Sequence, residues 1–376
     1  MSMKRCIFFL FAIVCLGGCS KKEQTEYITI GALLPLTGEF FEDGMNALNG
    51  VHIAKSEINE SGGILGKKLD IITLNDRGDE QYIIQQYNAL KEKGVVAIIG
   101  SSYSNVTMAL AKAAEKDGIP IISPTASDPA VTMGRKNVFR SIFIDDYQAE
   151  VMAKFARNSI EAKTAVVMYN NDYDSYKKAT EIFSRIFSEL GGKVIAVEAY
   201  SSEEKYEDIL KKYVANPPNV IYYPSDYLPA AKFLNAAFEL GLENTYLLGS
   251  DAWDGILDYV PNPKARRKAY YTTSFSFDDK DSITEKFVRN YFSTFSQMPL
   301  TGSANAYTCT YILSEAIKKA GNTNSNDIVS AMKENELNTV IGHIKFNENN
   351  NPHPNVYIIQ IKDGAYATYK KLIYGD

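Results

Sequence analysis

The sequence predicts an α/β fold of two doubly wound lobes, and two observations carry that prediction. Short Val/Ile/Leu runs alternate with longer, helix-length stretches along most of the 376 residues, the pattern of parallel βα units. The runs are continuously apolar rather than alternating in and out, as strands become when helices cover both faces of a sheet. The alternation restarts near residue 143, so two units of similar size follow one another.

In the first unit, strand-like runs at 28–34, 69–74, 95–99 and 119–122 enclose helix-like stretches at 45–60, 80–93 and 105–117. After a run at 138–143 come helix 147–160, strand 165–169, helix 175–190, strand 193–197, helix 206–215, strand 220–223, helix 228–240 and strand 246–248. Beyond Ala269 the order changes: an apolar run at 270–275, helices near 283–297, 304–320 and 328–333, then strands near 343–346 and 356–361. These pieces are too few for a third domain and are expected to complete the two lobes. The expected division is 27–142 with 273–346 for the first lobe and 143–272 with 347–376 for the second. Both lobes are then discontinuous, and several crossings make a hinge.

At the start of the chain, Lys4 and Arg5 precede an apolar run at 7–16, which ends in Leu16-Gly17-Gly18-Cys19. A charged start, a short apolar stretch and small residues before a cut describe a secretory peptide too short to span a bilayer. The Cys makes the segment resemble the lipobox of bacterial lipoproteins. That resemblance implies a signal peptide at 1–18, a lipid-modified Cys19, a polar tether at 19–26 and a protein anchored by acyl chains, facing the periplasm or cell exterior. An ordinary secretion signal with a chance Cys is the other reading. Cys6 and Cys15 fall in the removed segment, so only Cys19 and Cys309 remain. With no internal disulfide framework, stability must come from core burial.

Composition excludes several classes of function. The formal net charge is −5 with basic residues scattered, which gives no electrostatic footprint for nucleic acid. No later apolar stretch approaches the length of a spanning helix, so the body of the chain is expected outside the membrane. There is no G-x-S-x-G elbow, Walker loop or H-E-x-x-H motif, hence no evident enzyme. His52, His343 and His353 lie far apart in sequence, so no metal is expected. Gly62-Gly63-Ile64-Leu65-Gly66 lies between a helix and a strand, the wrong order for a dinucleotide loop, and reads as a helix stop. No cofactor is expected.

Three polar clusters follow strands, where open α/β sheets bind ligands. Gly100-Ser101-Ser102-Tyr103-Ser104-Asn105 leads into a helix, and Ser123-Pro124-Thr125-Ala126-Ser127-Asp128-Pro129 is again rich in hydroxyls. Free backbone N–H groups and hydroxyls at a helix start favour an anion such as a carboxylate, while simple N-capping is the alternative. In the second unit, Gly249-Ser250-Asp251-Ala252-Trp253-Asp254 offers an acid beside the only Trp. It suits a cation, or else serves as a turn acid or helix cap.

Gly31-Ala32-Leu33-Leu34-Pro35-Leu36-Thr37-Gly38, the Ile58–Gly66 stretch, Ile98-Ile99-Gly100, Ile122-Ser123-Pro124 and Val138-Phe139-Arg140 carry a resemblance to the leucine/isoleucine/valine-binding family of periplasmic solute-binding proteins. Tyr222-Tyr223 and Gly241 extend it into the second half. The resemblance implies two type I, Rossmann-like lobes joined by a three-strand hinge, a Venus-flytrap that closes on a small molecule and hands it to an ABC permease. Carried over by motif, Ser104, Thr125 and Ser127 would grip a ligand carboxylate, Asp251 would bind its ammonium and Tyr173 would pack over it.

Departures from the family pattern carry their own expectation. Asp174 stands for a family glycine, Asp43 for an aromatic that covers the ligand side chain, with Phe40 and Phe41 nearby, and Asp226 for a second aromatic. Two acids in a side-chain subsite would disfavour a bare aliphatic ligand and suit a polar or cationic one. Gly78 and Tyr103 occupy the positions of a disulfide found in some relatives. The leading expectation is therefore a lipid-anchored binding component of an amino-acid importer. A sensor or receptor-like module of the same fold and an exported α/β enzyme are the alternatives.

Overall fold

The computed structural model describes residues 26–201, 206–362 and 365–373; the signal segment, Cys19 and nearly all of the tether lie outside them. Continuous apolar runs form the strands as expected. In chain order come β1 (Tyr27–Leu34), α1 (Phe41–Glu60), β2 (Lys68–Asn75), α2 (Tyr82–Glu92), β3 (Ile98–Gly100), α3 (Ser104–Ala114), β4 (Ile121–Ser123) and β5 (Val138–Arg140). These strands make a parallel sheet in the order β2-β1-β3-β4-β5. β3, β4 and β5 are three residues each and wholly buried.

The second sheet is built from α4 (Asp145–Asn158), β6 (Thr164–Asn170), α5 (Asp174–Glu189), β7 (Lys193–Tyr200), α6 (Tyr206–Lys211), β8 (Val220–Tyr222), α7 (Tyr227–Glu239), β9 (Tyr246–Gly249) and β10 (Ala269–Thr273). The chain then adds α8 (Ser282–Phe295), α9 (Thr301–Ala320), α10 (Ser325–Glu334), β11 (Glu336–Thr339), β12 (Gly342–Lys345), β13 (Val356–Lys362) and β14 (Ala365–Leu372). The order of the seven-stranded sheet is β14-β13-β10-β9-β8-β6-β7, with every pair parallel except the two that β13 makes, with β10 and with β14.

The late helices return to the first sheet. Phe287, Tyr291, Ile312 and Ile328 share one core with Ile30, Val51 and Ile99. A Cβ on Gly50 of α1 would sit 2.0 Å from the Ser303 carbonyl of α9, so only glycine lets these two helices close on each other. The β11–β12 hairpin joins the same core through Val340, Ile341 and Ile344. The backbone therefore passes between the two sheets three times: from β5 to α4, from β10 to α8 and from β12 to β13.

Two strands differ from the sequence expectation. β11 and β14 were not anticipated, because Glu336-Leu337-Asn338-Thr339 is polar and β14 is only half-buried, with a burial pattern no stronger than that of a loop. The glycine run at 62–66 does stop a helix: α1 ends at Glu60, and the Gly63 N–H donates to the Ile58 carbonyl at 2.9 Å. Cys309 is free and buried.

Candidate functional site

The first sheet's strand ends present two adjoining loops. Ser104 opens α3, and its Oγ accepts from the Asp128 N–H at 3.2 Å. Thr125 Oγ1 donates to the Ser102 carbonyl at 2.8 Å. Arg140, fully buried at the end of β5, donates to the carbonyls of Ala126 at 2.7 Å and Asp128 at 2.6 Å. Drawing those carbonyls inward fixes the peptide planes of the 125–128 loop around a guanidinium fork. Burial lowers the Arg140 pKa to about 10, still far above neutrality.

From that loop a continuous hydrogen-bonded path crosses to the second sheet. The Ser127 hydroxyl bonds Asp145, the first residue of α4, and the Asp145 N–H donates to the Ser127 carbonyl at 3.2 Å. One turn further on, Gln148 Nε2 donates to Asp145 at 2.7 Å and to Asp251 at 2.8 Å. Gln148 Oε1 accepts from the Asp251 N–H at 3.0 Å and from Thr272 Oγ1 at 2.8 Å. A primary amide can satisfy four partners, and this one does so while fixing Asp251 by both backbone and side chain. Burial, then the field of Asp145, push the Asp251 pKa up to about 7.

A second group of acids adjoins the first. Asp43, on the first turn of α1, accepts from the Tyr103 hydroxyl. Asp226, immediately before α7, pairs with Tyr176. Although the two come from opposite sheets, the charge of Asp226 contributes to raising Asp43. Burial is the largest effect on both, raising Asp43 to about 6 and Asp226 above its ordinary value. Asp254 divides its oxygens between the Tyr271 hydroxyl at 3.1 Å and the Thr301 N–H at 2.7 Å. It thus caps α9 across the interface, so of the two acids in that hexapeptide one is a helix cap and the other faces Gln148. Tyr259 adds a further tie between the two halves, donating to Glu42 at 3.0 Å.

Ser104, Ser127 and Asp251 are thus brought into one network, and Thr125 adjoins it through Ser102. Asp226 is coupled to it through Asp145. Tyr173 sits farther out: it is 49% exposed, with its ring 5.2 Å from that of Tyr176, and Tyr176 is the aromatic that reaches Asp226. Asp174 opens α5 on the exposed side. Phe41 is 46% exposed, whereas Phe40 packs inward, 4.3 Å from the Tyr103 ring. A Cβ on Gly78 would lie 2.9 Å from that same Phe40 ring. The aromatic therefore fills the space between Gly78 and Tyr103.

Sequence reasoning missed Asp145, Gln148 and Tyr176. Asp145 and Gln148 lie in an ordinary helix start, and only their spacing of three residues, which puts them on one helix face, could have flagged them. Among the described residues no group of His, Cys, Asp and Glu is arranged to hold a metal ion, and no helix is long and apolar enough to cross a membrane.

Residues 27–365 match the family model described as periplasmic binding protein. The Leu/Ile/Val-binding protein BraC3 of Rhizobium johnstonii is 26% identical over 325 residues, covering 85% of this chain and 88% of that protein. Among solved structures, the branched-chain amino acid transporter substrate binding protein LivJ of Streptococcus pneumoniae, in complex with isoleucine, superposes with a TM-score of 0.85 at 23% identity. The superposition covers 92% of this chain and 99% of that one. The leucine binding protein LivK of Thermotoga maritima gives a TM-score of 0.83 at 27% identity, with 92% and 99% covered.

Proposed function

Because the chain belongs to the periplasmic binding protein family, we propose that it is the extracytoplasmic solute-binding component of an ABC importer and that its two lobes close on an amino acid. The observation that carries this reading is the opposition of two unlike charge environments on one path. Hydroxyls and the start of α3 lie on the first sheet, and Asp251 lies across Gln148 on the second. A zwitterion needs such a pair: neutral donors for its carboxylate, from Ser104, Thr125 and Ser127, and an anion for its ammonium, from Asp251. Charge-assisted bonds of this kind strengthen once closure excludes water. Tyr173 covers the ligand from the outer edge, and Asp226 borders its side chain.

Binding here involves no covalent chemistry; the three backbone passages between the sheets serve as the hinge. We assign 27–142 with 273–346 to one lobe and 143–272 with 347–376 to the other. An ABC permease receives the ligand, and a lipid on Cys19 holds the protein at the membrane. Mass spectrometry of small molecules released from the purified, denatured protein tests the ligand class. An α-amino acid at near-equimolar yield is expected, whereas a stoichiometric ligand lacking an ammonium or a carboxylate would contradict the reading.

A further inference from the structure

We propose that residues 254–259 form a clasp between the lobes, and that Asp254 and Tyr259 are positioning residues which set how readily the cleft opens for entry and release without touching the ligand. The inference rests on the two-lobe reading above and goes beyond the contacts assigned there to the ligand.

The clasp grows out of the turn that carries Asp251. Asp251–Trp253 is a 3₁₀ turn, and the Asp254 N–H donates back to the Asp251 carbonyl at 3.0 Å. Gly255 then adopts φ +89°, the left-handed region that favours glycine, and leads into a second 3₁₀ turn at Ile256–Tyr259. One short segment of the second lobe therefore holds the acid proposed for the ammonium at one end and Tyr259 at the other.

Its two polar contacts with the first lobe fall on the starts of two helices. Leu300, which precedes α9, has no side-chain cap to offer; the Asp254 carboxylate takes that place from the other lobe, accepting the Thr301 N–H at 2.7 Å. α1 also lacks a side-chain cap, at Phe40, and Glu42 in its first turn accepts the Tyr259 hydroxyl at 3.0 Å. Because α1 and α9 close on each other at Gly50, both contacts are made to one packed pair of helices. The Tyr259 ring lies 5.3 Å from that of buried Tyr227 at the start of α7, which restricts where its hydroxyl can point. None of Glu42, Asp254, Tyr259 and Thr301 belongs to the backbone passages between the lobes, at 140–145, 273–282 and 345–356. Opening the cleft therefore separates these pairs, and the first turn of α9 then has no cap of its own.

The experiment is amide hydrogen exchange on the intact mature protein without ligand, read at the Thr301 amide by mass spectrometry with electron-transfer fragmentation. It is repeated on Tyr259→Phe, Glu42→Ala and Glu42→Gln, each checked for folding by its thermal transition. Thr301 loses its protection when Asp254 leaves it, so its exchange rate follows the population of the open cleft. Tyr259 bonds α1 and not α9, so a change at Thr301 in Tyr259→Phe reports coupling through the clasp rather than a local loss. Tyr259→Phe and Glu42→Ala are each expected to speed exchange at Thr301 by about fivefold, the change in population that loss of one hydrogen bond typically produces. Glu42→Gln keeps an acceptor oxygen and should exchange like the unaltered protein. An unprotected Thr301 in the unaltered protein, or exchange unmoved in both Tyr259→Phe and Glu42→Ala, would overturn the clasp. Since no ligand is added, either result leaves the amino-acid reading standing.

Discussion

Gln148 is the residue that aims Asp251: its amide nitrogen donates to the carboxylate at 2.8 Å, and its amide oxygen receives the Asp251 N–H at 3.0 Å. The same side chain bonds Asp145 and Thr272, so removing it leaves several buried groups without partners. Gln148→Leu is expected to destabilise the fold by about 1–3 kcal/mol, the typical cost of an unsatisfied buried polar group, and to weaken amino-acid binding. Denaturant titration checks the first effect and calorimetry the second. Unchanged midpoint and affinity would mean that the amide network is incidental.

Arg140→Lys should act on the carboxylate side. Lysine keeps the charge but lacks the planar fork that bonds the Ala126 and Asp128 carbonyls together. The expected result is a lower thermal midpoint and weaker ligand binding, since the 125–128 loop loses its fixed peptide planes. Wild-type affinity with a wild-type midpoint would show that the loop holds its shape unaided.

The pH dependence follows from the raised acids. Burial lifts Asp43 from 3.8 to about 6 and Asp251 from 3.8 to about 7, with Asp145, Asp226 and Asp254 shifted the same way. Through this window the folded protein keeps protons that the unfolded chain has released. Stability without ligand should therefore fall as pH rises from about 4 to about 7. Affinity for an ammonium should change in the opposite sense, because only the ionised carboxylates attract it. The thermal shift produced by a saturating amino acid is thus expected to grow between about pH 5 and pH 8; a shift that shrinks over that range would contradict the assignment.

Much of this was legible in the chain. Helix-covered parallel strands must be apolar on both faces, so β1, β4, β6 and β8 announce themselves as Val/Ile/Leu runs. The β14 edge strand, half-exposed and lysine-bearing, carries no such signal. In the site, Ser104, Ser127 and Asp251 stand out because each follows a strand, where α/β sheets present ligands. Asp145 and Gln148 do not, because helix-start acids and amides are common on surfaces and only the return of α4 against β10 reveals their partners. Phe40 is a further case. Its ring between Gly78 and Tyr103 depends on contacts far apart in sequence.

Replacing Cys19 with Ser should release the protein from the membrane fraction or leave it as an unprocessed precursor, since one lipid-modified residue is proposed as the only anchor. Fractionation followed by blotting checks this. Persistence of a lipid-free protein in the membrane fraction under high salt would exclude the lipid anchor.

The central claim is that Asp251 binds the ammonium of an amino acid held between the lobes. Calorimetric titration of Asp251→Asn against the unaltered protein, with the amino acid that co-purifies, tests it directly. Losing the charged partner of a desolvated ammonium costs about 2–5 kcal/mol, and about 1.4 kcal/mol is already tenfold in affinity. Binding weakened more than tenfold in a variant that keeps its thermal transition is the expected result; unchanged affinity in that folded variant would contradict the claim.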